Sequence, residues 1–305
     1  MDYDIVIIGG GPAGLSFACS VAGLDLNILL VEKSSLESIS KPKPDGREIA
    51  LTHHSRKILI KLGVWALIDE AKVSLLKEAK VFDGGSDSLL NFDAKKSAIE
   101  ALGYLVPNYL IRAALFERAS QADNVTILNE LMVDAVNTTN TGAEISLSNG
   151  KTIKSKLVVA ADSRFSEIRR KMGIPSVMKD FSKVMITTRM SHEKAHNHVA
   201  LECFNYGHTL ALLPLNGNVS SIVLTVPTDR LDEMLDLDEE KFNAKSVMSL
   251  LQAGGILADK GYQKVVLEGS RQAINDVKIL AQNNYCEEGE FPRQLSYLRP
   301  DQGND

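Results

Sequence analysis

One stretch constrains this chain more than any other: Asp4-Ile5-Val6-Ile7-Ile8 runs directly into Gly9-Gly10-Gly11-Pro12-Ala13-Gly14. An apolar strand that enters G-x-G-x-x-G and leaves as a small-residue helix aims backbone amides at a pyrophosphate. Gly9 permits the tight turn, Gly11 permits close approach of the backbone, and Gly14 permits the helix to pack on the strand. Pro12 suits the first helical turn, where a missing N–H costs nothing. Asn27-Ile28-Leu29-Leu30-Val31 reads as a second parallel strand, apolar throughout because both of its faces are covered. Glu32 ends it, at the spacing of the acid that accepts hydrogen bonds from a ribose. The pattern predicts a βαβ unit built for a dinucleotide. An acid at position 32 favours an unphosphorylated ribose and leaves FAD and NAD both open.

Composition narrows the class. The 305 residues are 44% hydrophobic, enough for one large or two modest cores. A formal charge of -5 and an isoelectric point near 5.8, with no clustered basic stripe, argue against a nucleic-acid partner. Cys19, Cys203 and Cys286 are few, odd in number and far apart, which fits a reducing compartment. The N-terminus has no basic start or long apolar region of a signal peptide, and no apolar run approaches bilayer-spanning length. The expected location is cytoplasmic, with membrane contact at most peripheral.

Further along, Ser34 to Gly46 reads as a polar loop, and a helix starts near Thr52 and closes at Gly63. Ala79 to Phe82 and Leu89 to Phe92 form a hairpin, Gly103 to Val106 a strand, and Pro107-Asn108 opens a helix. Strands are expected at Val125 to Leu128, Leu131 to Asn137, Ala143 to Leu147 and Thr152 to Lys154. A further buried strand, Leu157 to Asp162, ends in that acid and precedes a basic helix with Arg169, Arg170 and Lys171. Four longer segments, Val184 to Met190, His198 to Phe204, Thr209 to Leu213 and Val219 to Val226, predict an antiparallel sheet. A helix over Phe242 to Gln252 and a disordered tail from Asn283 complete the reading.

Four blocks together resemble the flavin-dependent aromatic hydroxylases, in particular the ubiquinone-biosynthesis hydroxylases: DYDIVIIGGGPAGLSFA from Asp2, DGREIALTHHSRKILIKLGVW from Asp45, PNYLIRAALFERA from Pro107 and LVVAADSRFSEIRRKMGI from Leu157. The resemblance implies an α/β fold: a Rossmann-like FAD-binding domain in three layers, with a parallel sheet and a β-meander, plus an antiparallel-sheet substrate domain. Residues 1–180 would form the first, with 76–103 lending strands to the second; 181–240 would form the substrate sheet, and 241–305 a divergent tail. The implied cofactor is FAD, held by Gly9, Gly11, Pro12, Ala13, Gly14, Glu32, Lys33, Arg47, Arg112 and Asp162. Ser163 departs from the family, which has glycine after the aspartate.

The implied activity is FAD-dependent monooxygenation of an aromatic ring, a ubiquinone-biosynthesis intermediate, with NADH or NADPH as reductant and O2. Arg169, Arg170 and Lys171 could attract the phosphates of the reductant. Tyr206, His208, Leu213 and Pro214 are the candidate substrate contacts, and no catalytic acid or base stands out. The expected partners are a prenylated aromatic substrate, other quinone-biosynthesis enzymes and the surface of the inner membrane. A Gly-Asp block that supports the flavin in the family is not found after about Ala244. The alternative is therefore a truncated, inactive nucleotide-binding remnant. An NAD-linked dehydrogenase would leave the Arg47, Arg112 and Asp162 blocks without a role. His192, His196 and His198 cluster in sequence but read as solvated sheet-edge residues, and no metal is expected.

Overall fold

The structure is a computed structural model that describes residues 1–83, 89–192, 195–205, 208–230 and 265–267. The chain runs through β1 (Tyr3–Ile8), α1 (Pro12–Val21), β2 (Ile28–Val31), α2 (Leu36–Ser40), β3 (Glu48–Leu51), α3 (His53–Lys61), β4 (Ser74–Leu76), β5 (Glu78–Asp83), β6 (Leu89–Asp93), β7 (Gly103–Pro107) and α4 (Asn108–Ser120). It continues through β8 (Val125–Leu128), β9 (Val133–Thr139), β10 (Gly142–Leu147), β11 (Thr152–Ala160), α5 (Glu167–Lys171), β12 (Lys183–His192), β13 (Val199–Asn205), β14 (His208–Pro214), β15 (Val219–Pro227) and β16 (Val265–Leu267). These elements divide between two compact units. The first takes Met1–Pro44, His54–Glu70 and Asn108–Val177; the second takes Asp45–His53, Ala71–Pro107 and the chain from Met178.

The first unit is α/β. Its sheet has the order β8-β2-β1-β11-β10-β9, in which β8, β2, β1 and β11 are parallel and β9, β10 and β11 form an antiparallel meander. Ile5 to Ile8 and all of β2 are buried, as their unbroken apolar runs require. Val6, Ile8, Leu29 and Val31 share one core with Ala143, Ile145 and Leu147 of the meander and Ile168 of α5. α1 packs on α4, and the Cys19 thiol donates to the Leu115 carbonyl at 3.6 Å. Burial pushes that thiol up to about 11, against the opposing charge of Arg118.

Two expectations need correction here. Thr152 to Lys154 and Leu157 to Ala160 are one strand, because Ser155, which looks like a polar interruption, is fully buried between Tyr3 and Ala143. That strand is not buried to its end, since Leu157 is 51% exposed. β10 leaves the ladder at Ser155, so Leu157 to Ala160 keep β1 on one side and no strand on the other among the described residues. The polar loop from Ser34 also contains α2, capped by the Ser35 hydroxyl and anchored by buried Ile39.

The second unit holds a seven-stranded sheet in the order β16-β12-β15-β14-β13-β5-β6. Every neighbouring pair is antiparallel except β13 and β5, which run parallel from Val199 opposite Glu78 to Phe204 opposite Asp83. Leu201, Cys203, Leu210, Leu212, Ile222 and Leu224 bury one face. A small antiparallel sheet, β3-β7-β4, completes the unit. The helix expected over Phe242 to Gln252 and the tail from Asn283 lie outside the described residues.

Candidate functional site

The carboxyl-terminal edge of the parallel strands in the first unit gathers the sequence-predicted groups. α1 leaves β1 at this edge. α4 feeds β8 from the opposite edge, so its amino-terminal half, with Arg112, returns to the same edge as Gly11 and Pro12. Glu32 ends β2 there, and Asp162 follows β11. Ligands of open α/β sheets occupy this edge, because helix amino termini converge on it.

Local physics fixes the glycine turn. Gly9 has φ 107°, and a Cβ there would strike the Ala161 carbonyl and approach the Asp162 Cα. A Cβ on Gly14 would strike the Gly9 carbonyl, which lets α1 sit close on β1. Nothing lies within 4 Å of the Cβ position of Gly11, the N-cap of α1, and Pro12 and Ala13 are exposed beside it. The first turn of a helix has amides without intrahelical partners, and α1 carries no acidic residue there to compete with an anion.

Glu32 is 9% exposed. Its Oε2 accepts the Gly10 amide at 2.6 Å and its Oε1 accepts the Ser34 amide at 2.8 Å. Burial raises the affinity of this carboxyl for a proton, but the hydrogen bonds from Ser34 and Gly10 and the charge of Lys33 outweigh it. The group stays ionised below the ordinary glutamate range. An ionised carboxylate has about four lone-pair sites, so after two amides it can still accept from a pair of vicinal hydroxyls.

Asp162 is turned inward to its own loop. Its Oδ1 accepts from the Ser166 hydroxyl and its Oδ2 accepts the Ile168 amide at 3.2 Å, while Ser166 Oγ accepts the Arg169 amide at 3.0 Å. The carboxylate thereby fixes α5 to the end of β11. Ser163 takes φ 157°, a value that a Cβ disfavours. Arg169 donates to the Ile174 carbonyl at 2.8 Å and Lys171 to the Asp134 carbonyl at 3.0 Å. Arg169 and Lys171 are therefore engaged locally. Arg112 is half-buried, and among the described residues nothing pairs with it.

Arg47 belongs to the second unit, where its guanidinium grips Asp45 at 2.6 Å. Of the expected substrate contacts, Tyr206 lies outside the described residues. His208 opens β14 opposite Asn205, and Leu213 and Pro214 end the strand, the first half-buried and the second buried. The histidines differ from expectation: His192 and His196 are 7% and 6% exposed rather than solvated. His192 meets the Ser220 hydroxyl at 3.0 Å, and His196 lies 2.7 Å from the Leu215 carbonyl and accepts the His198 amide at 3.0 Å. A hydroxyl on β15 receives the first, and a carbonyl in the turn after β14 receives the second. Among the described residues no group of three or more metal-ligating side chains converges.

Sequence reasoning missed the amides of Gly10 and Ser34 as the groups that orient Glu32. The motif itself signals the first, whereas nothing in the sequence signals the second. It also passed over Glu202, whose carboxyl is pushed up to about 7 by burial.

Residues 2–256 match the family described as FAD binding domain. The chain is 45% identical over 245 residues to "Ubiquinone hydroxylase UbiM" of Neisseria meningitidis, covering 79% of this chain and 53% of that protein. It is 31% identical over 263 residues to "Ubiquinone biosynthesis monooxygenase COQ6, mitochondrial" of Homo sapiens, covering 79% of this chain and 54% of that protein. The chain thus spans about half the length of the curated relatives it matches. Among solved structures, PqsL of P. aeruginosa in complex with 2-aminobenzoylacetate aligns with a TM-score of 0.69 at 16% identity, over 97% of this chain and 90% of that one. The flavin-dependent monooxygenase PieE, in complex with FAD and substrate, aligns with a TM-score of 0.64 at 17% identity, over 88% of this chain and 48% of that one. These two likenesses establish a shared fold.

Proposed function

The chain belongs to the FAD binding domain family, and from that premise we propose that it is a FAD-dependent monooxygenase that hydroxylates an electron-rich aromatic ring. The observation that carries the reading is the edge of the first unit. An open glycine turn, an exposed helix start and an ionised, amide-oriented Glu32 fit the pyrophosphate and ribose of a dinucleotide. The relatives named for ubiquinone hydroxylation support an aromatic quinone precursor as the substrate class.

Bound FAD would supply the oxygen chemistry, with NADH or NADPH as the source of electrons. The chain's own residues bind and orient. Gly11, Pro12 and Ala13 would face the pyrophosphate, Glu32 would accept the ribose hydroxyls, and Lys33 would add to the Ser34 and Gly10 hydrogen bonds that hold Glu32 ionised. Arg112, which nothing among the described residues pairs with, would offer its guanidinium at the same edge. Asp162 would keep α5 seated behind the glycine turn. Arg47 has a local carboxylate partner that it would have to share or leave before it met a flavin. Leu213 and Pro214 would form part of the ring's floor in the second unit.

Among the described residues no helix is long and apolar enough to cross a membrane. Contact with a bilayer, needed if the ring carries a long prenyl tail, would be peripheral and on the cytoplasmic side, where other quinone-biosynthesis enzymes would be the neighbours. The test is the protein purified with excess FAD. Retained flavin and NAD(P)H oxidation stimulated by a prenylated phenol, with a hydroxylated product, are expected. Absence of both from a folded preparation overturns the reading, and flavin bound without turnover converts it to a nucleotide-binding remnant.

A further inference from the structure

Glu202 stands in the middle of β13, between β5 on one side and β14 on the other. Register places one row of side chains across the sheet: Leu90, Val81, Glu202, Ala211, Val223 and Thr187. These residues share a face, because each is directly opposite the next. Glu202 is half-buried and is flanked by Ala211 at 9% exposure and Ala200 at 8%. Both of these neighbours are small. Beyond them the same face exposes large apolar groups, Leu90 at 57%, Phe92 at 50% and Phe204 at 47%. Among the described residues Glu202 has no hydrogen bond or ion pair.

Among the described residues the other charges on this face are three. Asp83 lies opposite Phe204 on the neighbouring row, Lys183 opens β12, and Arg189 of β12 is already paired with Glu48, whose side chain is 1% exposed. β14 contributes Thr209, Ala211 and Leu213 to the face, β15 contributes Ser221, Val223 and Thr225, and neither adds a charge. An acid among small and apolar groups is costly to ionise, and among the described residues none pairs with Glu202. It is suited to a hydroxyl that arrives with a ligand.

Resting on the reading above, we propose that Glu202 engages the ring hydroxyl of the aromatic substrate and is the acid–base residue of the substrate face. The carboxylate accepts the phenolic O–H. As the ring reacts, the proton passes from the hydroxyl oxygen to Glu202, and the O–H electron pair remains on oxygen, raising electron density at the ortho and para carbons. The proton returns to that oxygen in the product, so Glu202 is unchanged over a turnover. Burial alone sets the carboxyl near 7, which suits it to exchange a proton at neutral pH. The exposed Leu90, Phe92 and Phe204 match an apolar ring substituent.

The test is calorimetric titration of the full chain with 2-prenylphenol and with its methyl ether, at pH 7, in two buffers of different ionisation enthalpy. A hydroxyl donating to the carboxylate favours its charged form, so binding of the phenol releases about half a proton in the wild type. The methyl ether and E202Q release none. In the flavin-loaded protein, E202Q lowers kcat on the phenol about tenfold or more, flattens the pH profile near 7, and leaves flavin content unchanged. Equal proton release or an unchanged pH profile in E202Q overturns the proposal, as does failure of the wild type to bind the phenol. A wild type that binds the phenol with proton release but retains no FAD defeats the monooxygenase reading and leaves the Glu202 assignment standing.

Discussion

The Gly10 amide donates to the Glu32 carboxylate at 2.6 Å, which ties the glycine turn after β1 to the end of β2. The acid thus does structural work before any ligand arrives. A Cβ on Gly10 would come within 3.2 Å of three Glu32 side-chain atoms, so a larger residue at position 10 would have to push the acid aside by a few tenths of an ångström.

Replacing Glu32 with Ala removes a charged acceptor from two amides and from the expected ribose. FAD affinity, measured by fluorescence titration, is expected to fall roughly ten- to hundredfold, since hydrogen bonds to a charged group contribute about 1.5–3 kcal/mol. The folded-state pKa of Glu32 is depressed, so its ionised form stabilises the protein above the ordinary carboxyl range, and the contribution is lost as pH falls through the folded value. The stability gap between wild type and E32Q in denaturant titrations should therefore be full at pH 7 and close in acid below about pH 4.

Ser163 at φ 157° predicts a stabilising substitution. Glycine relieves the Cβ conflict but gives the unfolded chain more freedom, and the balance expected for S163G is a gain of about 1 kcal/mol. A raised midpoint in a urea titration checks it, whereas a lowered one would mean that Ser163 sits there without strain. Its hydroxyl accepts the Phe165 amide at 3.1 Å, and loss of that bond limits the gain.

Glu202 titrates with the opposite sign to Glu32. Its folded pKa of about 7 lies above the unfolded value, so the folded state binds the extra proton, and stability is lost as pH rises from the ordinary glutamate range through 7. E202Q is expected to be more stable than wild type at pH 8, by about 2–3 kcal/mol, and close to it at pH 5. Thermal denaturation of both proteins across that range decides the matter.

Cys19 and Cys203 are buried, and burial holds both thiols near 11. Thiolate is the reactive form, so neither should react with iodoacetamide at pH 8 until the protein unfolds. Peptide mapping after native labelling that found either residue modified would show that α1 or β13 opens readily.

The parts of the fold most legible in the sequence are those with a single physical cause. Unbroken apolar runs mark β1 and β2, the glycine spacing marks the entry to α1, and the Asp83-Gly84-Gly85 signal separates β5 from β6. Less legible is whatever depends on partners distant in sequence. Ser155 reads as a break because its burial depends on Tyr3 and Ala143. α2 is hidden in a polar stretch because only Ile39 anchors it. His192 and His196 read as solvated because Ser220 and the Leu215 carbonyl, which receive them, lie on another strand and a turn. Nothing in the sequence marks Glu202 between Leu201 and Cys203. Only the register with Val81 and Ala211 places it among small apolar neighbours.

The parallel pairing of β5 with β13 joins segments more than a hundred residues apart, and the chain passes through the first unit between them. Neither unit is a contiguous cassette. A gene fragment encoding one alone would need loops re-spliced at several points, and a ribosome must translate past Asn205 before the strand opposite Phe82 exists. A single crossover between Asp83 and Val199 would therefore separate β5 from the strand it runs parallel to, and the sheet that carries Glu202 would be assembled from two sources.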